Sequence, residues 1–296
     1  MIKKQKIKGV ILAAGYGTRF LPASKTVPKE LFPLIDVPAI DFTVKEFLES
    51  GIQDILIITS RRKKVLEDYL DHEMELEGIL QQEKDRIKLE KITPLIDNFH
   101  FVRQREMRGT ADALNLCRCF CGDSPFVVAY PDDIIWSDKP CAKQLIEAYY
   151  ETGQNVLTAQ ELPLEQDVSR YGVIDFSEKK NSIYQVKSLI EKPKKGTEPS
   201  RVVSLGRYLY TPDIFEELAE LNFENTDKEI SQTEPLNRLA EKGKVAALEF
   251  VGKRFDVGEP FGYLTTVIEY ALLRPDLSNR LKDYLKNNYE RLTSVI

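Results

Sequence analysis

Apolar and polar positions follow two successive rhythms along this chain. Short, nearly continuous apolar runs at 8–13, 54–59, 99–102, 126–130 and 155–160 read as buried strands. Between them lie helical patterns at 39–50, 61–82, 110–119 and 140–151. Strands alternating with helices predict an α/β fold with a mostly parallel sheet flanked by helices. After about residue 160 the rhythm changes: strand-like segments at 171–176, 183–190 and 203–210 have fewer helices between them, and helical patterns return at 212–220, 229–242 and 260–273. No Gly/Ser-rich linker divides the halves, so residues 1–296 read as a single domain. In the last helical stretch, 276–296, Leu277, Leu281, Leu285 and Tyr289 form an apolar stripe that packs either on its own domain or on another subunit.

The segment 10–34, VILAAGYGTRFLPASKTVPKELFPL, carries the densest chemistry. The strand-like run Val10–Ala14 opens into Gly15-Tyr16-Gly17-Thr18-Arg19, then into a long loop bearing Arg19, Lys25 and Lys29 and punctuated by Pro22, Pro28 and Pro33. Glycines let backbone N–H groups approach an anion closely, and the cations neutralise it. The segment therefore reads as a polyphosphate cradle; a tight, ligand-free strand-to-helix turn is the plainer alternative, against which the clustered cations weigh. A dinucleotide fingerprint would need a third glycine where Phe20 stands, and no P-loop sequence occurs.

Gly15-Tyr-Gly-Thr-Arg19, Pro28-Lys-Glu30 and Pro33-Leu-Ile-Asp-Val-Pro38 together resemble the sugar-nucleotide pyrophosphorylases, and most closely the bacterial UTP–glucose-1-phosphate uridylyltransferases. The resemblance continues in family order over roughly 8–275, through Val102-Arg103-Gln104, Pro131-Asp132-Asp133, Tyr171-Gly172-Val173, Glu191-Lys192-Pro193, Gly206-Arg207-Tyr208 and Asp256-Val257-Gly258. It implies a Rossmann-like three-layer sandwich with a mixed, mostly parallel central sheet. A nucleotide-binding half would end near 160, a sugar-phosphate-binding half would span about 161–275, and a C-terminal helix would follow. It also implies a cytoplasmic, homo-oligomeric transferase that forms UDP-glucose and pyrophosphate from UTP and glucose 1-phosphate with Mg²⁺. By that likeness Arg19, Lys29 and Lys192 are catalytic. Ala13, Ala14, Gly15, Gly17, Thr18, Glu30, Gln104 and Gly109 bind the nucleotide. Gly172, Glu191, Gly206 and Arg207 bind the sugar, and Asp132 and Asp256 bind the metal. Two segments depart from the closest members. Arg108-Gly-Thr-Ala-Asp-Ala113 is similar to enzymes that make ADP-glucose or GDP-mannose, and Lys228-Glu-Ile-Ser-Gln-Thr233 keeps only part of the usual acidic pattern. Another nucleotide or sugar 1-phosphate, or a non-catalytic nucleotide-sugar-binding regulator on the same fold, remains the alternative.

Composition fits this reading. A net charge of −5 does not indicate a nucleic-acid surface, and no apolar run approaches the ~18 residues of a membrane span. Cys117, Cys119 and Cys121 lack the C-x-x-C spacing of zinc sites and lie far in sequence from His72 and His100, so they read as reduced core thiols of a cytosolic protein. The scarcity of histidine also suits the implied reaction. A sugar phosphate is largely dianionic near neutrality, its second pKa being about 6, and needs no general base. The obstacle is repulsion between phosphates, about 4 kcal/mol for two unit charges 4 Å apart at an effective dielectric of 20. Cations and alignment must overcome it. The adjacent Asp132 and Asp133 cannot both face one site if the segment stays extended.

Overall fold

The computed structural model describes residues 5–96, 99–223 and 229–294; Lys228 of the acidic segment lies outside the described residues. The first apolar run forms β1 (Lys8–Leu12), and the cationic loop after it ends in a two-residue hairpin, β2 (Pro33–Leu34) and β3 (Val37–Pro38). Helix α1 (Ala39–Glu49) leads to β4 (Ile55–Thr59), then come α2 (Lys64–Leu70), α3 (Met74–Glu83), α4 (Arg86–Ile92) and β5 (Phe99–Arg103). The predicted helix over 61–82 is thus broken at 71–73, and the charged stretch beyond it continues into α4. Helices α5 (Thr110–Asn115) and α6 (Arg118–Cys121) divide the predicted 110–119, and are followed by β6 (Phe126–Ala129), β7 (Asp133–Trp136), α7 (Cys141–Thr152) and β8 (Asn155–Glu161).

The later rhythm corresponds to three nine-residue strands, β9 (Gly172–Lys180), β10 (Ile183–Glu191) and β11 (Val202–Tyr210). After α8 (Ile214–Ala219) and α9 (Thr233–Glu241) come β12 (Val245–Glu249) and β13 (Lys253–Asp256), and the described chain closes with α10 (Pro260–Leu273) and α11 (Ser278–Thr293).

Nine strands make one mixed sheet in the order β5-β4-β1-β6-β11-β8-β12-β10-β9. β5, β4, β1 and β6 are mutually parallel; β11 runs antiparallel between β6 and β8. Side-chain alternation sends Ile11, Ile57, Val127 and Leu209 to a face covered by α1, α2 and α7. It sends Val10, Ile58, Val128 and Tyr210 to the other face, under α5, α6, α8 and α9. The result is the expected helix–sheet–helix sandwich. A separate two-stranded ribbon pairs β7 with β13 and places Asp133 opposite Asp256. Ile134, Phe255 and Val257 pack this ribbon against Leu34 and the aromatic side of α10. Among the described residues, no helix is long and apolar enough to cross a membrane.

Candidate active site

β1 and β6 are parallel neighbours, so the loops that follow them leave from the same edge of the sheet, where α/β proteins bind ligands. The first loop is folded as three single 3₁₀ turns at Thr18–Phe20, Ala23–Lys25 and Lys29–Leu31. It turns at Gly17, in the left-handed region with φ 67°, and the Gly17 carbonyl accepts from Ser24 Oγ at 2.7 Å. Phe20 and Phe32 meet edge to face with centroids 5.1 Å apart, and both contact Tyr263 of α10, anchoring the loop to the C-terminal part of the chain.

The last 3₁₀ turn aims Lys29 at Asp132, and the two side chains form a short ion pair. Burial disfavours both charges. For Lys29 the carboxylates of Asp132 and Glu30 outweigh that penalty and raise its pKa; for Asp132 the Lys29 ammonium outweighs it and holds the carboxyl below the usual range. Asp132 and its neighbour do face different partners, but not by strand alternation: the Asp133 N–H donates to the Tyr130 carbonyl at 3.1 Å, closing a turn over Pro131-Asp132, and the strand begins only at Asp133. Asp133 turns to Arg254, accepting from Nε at 2.6 Å, and also accepts from the Gly206 N–H at 2.9 Å. Its enclosed position raises the Asp133 pKa. Arg254 reaches on to Asp256 at 3.5 Å and lies over the Tyr171 ring.

Asp132 and Asp256 converge on one backbone segment. The Val257 N–H donates to the Asp132 carbonyl at 2.8 Å, and the Gly258 N–H donates to Asp256 Oδ1 at 3.0 Å. A Cβ at Gly258 would stand 2.6 Å from Asp132 Oδ2 and 3.1 Å from Asp256 Oδ1. Both carboxylates line a cleft of about 450 Å³ together with Arg19, Gly109, Gly172, Glu191, Lys192 and Gly206. Lys29 does not line this cleft; it lines a separate recess under the loop and reaches Asp132 from there. Among the described residues no three or more His, Cys, Asp or Glu side chains form a metal cage. Two hard carboxylates opening on a cleft suit a divalent ion that completes its shell with phosphate oxygens and water.

Also lining the cleft, Gly172 pairs with Glu191 across β9 and β10 and with Ser204 across β9 and β11. A side chain at Gly172 would come within 3.2 Å of Glu191 Oε2, so glycine keeps that carboxylate accessible. Lys192 has φ 46°, in the left-handed region, although Pro193 predicts an extended backbone there. Its N–H donates to the Tyr171 carbonyl at 3.0 Å, and its ammonium is mostly exposed, 3.7 Å from Glu191. A non-glycine residue held there carries backbone strain at the cleft wall.

Three expected contacts take a different form. Arg207 lines no part of the cleft. It lies on the other face of β11, fully buried, with bonds to Glu46 at 2.9–3.2 Å, to the Tyr130 carbonyl at 3.0 Å and to the Gly206 carbonyl at 3.1 Å. Strand alternation puts Ser204, Gly206 and Tyr208 toward the site and Arg207 away from it, so its guanidinium is a framework ion pair and not a sugar contact. Glu30 is buried and bonded by both oxygens to Lys63 at 2.8 Å. Gln104 is buried, and its amide donates to the Gly109 carbonyl at 3.0 Å and to Asp112 at 2.9 Å. Gly109, at φ 102°, lies beneath the 230 segment: a Cβ there would stand 2.4 Å from the Ile230 carbonyl oxygen.

Ala13, Ala14, Gly15 and Thr18 follow the strand end, and Gly15 shares a small recess under the loop with Lys25, Lys29 and Lys63. The cysteines are free thiols; Cys117, Cys121 and Cys141 are buried, whereas Cys119 is exposed, contrary to the expectation of a core thiol.

The nucleotidyl transferase profile matches residues 8–271. The chain belongs to the nucleotidyl transferase family. This nucleotidyl transferase is 45% identical over 287 residues to a protein of Staphylococcus epidermidis named UTP–glucose-1-phosphate uridylyltransferase, covering 96% of this chain and 99% of that one. It is 44% identical to UTP–glucose-1-phosphate uridylyltransferase 2 of Staphylococcus saprophyticus, over 94% and 96% of the two chains. Among solved structures, a UDP-glucose pyrophosphorylase complexed with UDP-glucose superposes with a TM-score of 0.79 at 36% identity, covering 91% of this chain and 100% of that one. A UTP-bound UGPase from Acinetobacter baumannii superposes with a TM-score of 0.85 at 30% identity, covering 95% and 99%.

Two charged residues of this nucleotidyl transferase escaped sequence reasoning. Arg254 had a usable signal: it lies two residues before Asp256 on a strand and so shares its face. Lys63 had none, since it stands in the basic run Arg61-Arg62-Lys63-Lys64 and only the fold shows which of the four turns inward.

Proposed function

We propose that this chain forms UDP-glucose and pyrophosphate from UTP and glucose 1-phosphate, and that Asp132 and Asp256 are the residues that would hold Mg²⁺. The observation that carries the reading is the convergence of those two carboxylates on Gly258, in a cleft that Arg19 and Lys192 also line. Arg19 and Lys29 hold the triphosphate and the departing pyrophosphate. Lys192 holds the phosphate of the sugar, and Glu191 beside Gly172 accepts from sugar hydroxyls. Gln104 fixes the backbone of Gly109, which shapes the base pocket. A divalent ion held by Asp132 and Asp256 would supply positive charge against the mutual repulsion of the substrate phosphates. The protein residues do the rest by alignment: they bring the sugar phosphate oxygen in line with the α-phosphorus and need no proton acceptor.

The relatives named for UTP–glucose-1-phosphate uridylyltransferase and the neighbours bound to UDP-glucose and UTP support the substrate assignment. The free thiols fit a cytoplasmic location. Helix α10 presents Phe261, Leu264 and Leu273 to solvent, and a second copy of the chain is the occupant we assign to that face. The test is a panel of the four common NTPs and dTTP against several sugar 1-phosphates, scored by pyrophosphate release. The reading requires UTP with glucose 1-phosphate to give the highest kcat/KM. A preference for ATP or GTP, which the 108–113 segment resembles, would overturn it.

A further inference from the structure

Lys63 closes a short turn, Arg61–Lys63, after β4. Arg61 is exposed and Arg62 lies at the surface over the Tyr16 ring; Lys63 turns inward, and its side chain is only 6% exposed. Its ammonium donates to the Ala13 carbonyl at 2.5 Å and to both oxygens of Glu30 at 2.8 Å. An ammonium has three donors, and these contacts use them all. Ala13 is the point where the chain leaves β1, and Glu30 lies in the turn that carries Lys29. One side chain from a neighbouring strand end therefore ties together the two ends of the loop.

We infer that Lys63 is a positioning residue that clasps the base of the nucleotide loop and that Glu30 acts through it, without touching the nucleotide. The inference rests on the reading that this loop holds the triphosphate. Burial of the pair lends it rigidity: an exposed lysine would lose rotamer freedom for little gain, whereas here both partners are enclosed and bonded. The consequence falls on Lys29, which follows Pro28 and precedes Glu30. With Glu30 pinned, the Lys29 side chain has a fixed origin from which to reach Asp132 and the phosphates. Lys192 and Glu191 lie outside this linkage, so the clasp governs UTP and not the sugar phosphate.

The test is steady-state kinetics with both substrates varied, on Lys63→Met, Glu30→Gln, the two combined, and Arg19→Ala as a control on the loop. Lys63→Met is expected to raise KM for UTP about tenfold or more, with KM for glucose 1-phosphate within about twofold of wild type. Glu30→Gln is expected to add little once Lys63 is gone, because the two act as one unit. Removing one member of a buried pair risks unfolding, so the Glu30→Leu/Lys63→Met variant, which removes both charges, carries the same expectation in a chain that keeps its fold. An unchanged KM for UTP in that variant, an equal rise in both KM values, or a full Glu30→Gln effect in the Lys63→Met background would each overturn the clasp. If Arg19→Ala raises KM for UTP and the Lys63 variants do not, the clasp alone falls. If Arg19→Ala also leaves it unchanged, the loop reading falls and takes the clasp with it.

Discussion

Replacing Gly258 by alanine perturbs the candidate metal site by a single methyl group. Gly258 lies outside the left-handed region, so backbone strain does not enter. The new Cβ would stand 2.6 Å from Asp132 Oδ2, and ordinary contact begins at 3.4 Å, so something must move by about 0.8 Å. Asp132 is the mobile partner, since the atom in contact is the end of its side chain, but moving it breaks its alignment with Lys29 and Asp256. Overpacking of this kind costs about 1–3 kcal/mol of stability, a loss of roughly 2–10 °C in Tm for a chain of this length. Misplacement of a catalytic group by ~1 Å costs on the order of 100-fold in rate. Gly258→Ala is therefore expected to remain folded by circular dichroism and to lose roughly 30- to 100-fold in kcat by continuous pyrophosphate release. A folded variant with kcat within about threefold of wild type would refute the convergence of the two carboxylates as the working site.

Other expectations follow from the same geometry. Arg207→Met leaves Glu46 buried without its partner and is expected to cost about 3–5 kcal/mol of stability, seen in urea unfolding, with KM for glucose 1-phosphate unchanged in the folded fraction; a selective rise in that KM would restore the sugar contact. Lys192→Ala is expected to raise KM for glucose 1-phosphate with little change for UTP, and the reverse pattern would remove Lys192 from that role. The Lys29–Asp132 pair carries a pH signature. Because Asp132 sits below its ordinary value of 3.8, its contribution is present above that pH and lost as pH falls through the lower folded-state value; because Lys29 sits above 10.5, its contribution is present below that pH and lost as pH rises through the higher one. The stability difference between wild type and Lys29→Met is therefore expected to be broad across neutral pH and to shrink at both extremes, and a difference that grows on acidification would contradict the pair.

The parts of the fold that rested on local pattern were legible. The apolar runs of β1, β4 and β6 and the alternation with α1 and α7 suffice for a sandwich, because each strand there is buried on both faces and reads as a continuous run. The ribbon of β7 and β13 was not legible as structure: four residues are too few to show a period, and its pairing joins segments over a hundred residues apart. The same distance hid Arg254 as the partner of Asp133, and the pairing of Lys63 with Glu30, 33 residues apart, was hidden because nothing in the basic run marks which cation turns inward. Arg207 shows the opposite limit. The Gly-Arg-Tyr run identified the right strand, but whether position 206 or 207 faces the site depends on register, which the partner strands set. The break between α2 and α3 carries no proline or glycine, so nothing in 71–73 announced it.

Asp132 and Asp256 are expected to share one divalent ion. Binding of Mn²⁺ in the presence of UTP, followed by electron paramagnetic resonance, measures it without turnover. A single site is predicted, weakened at least about tenfold by either Asp132→Asn or Asp256→Asn. Undiminished Mn²⁺ affinity in either folded variant would contradict the claim.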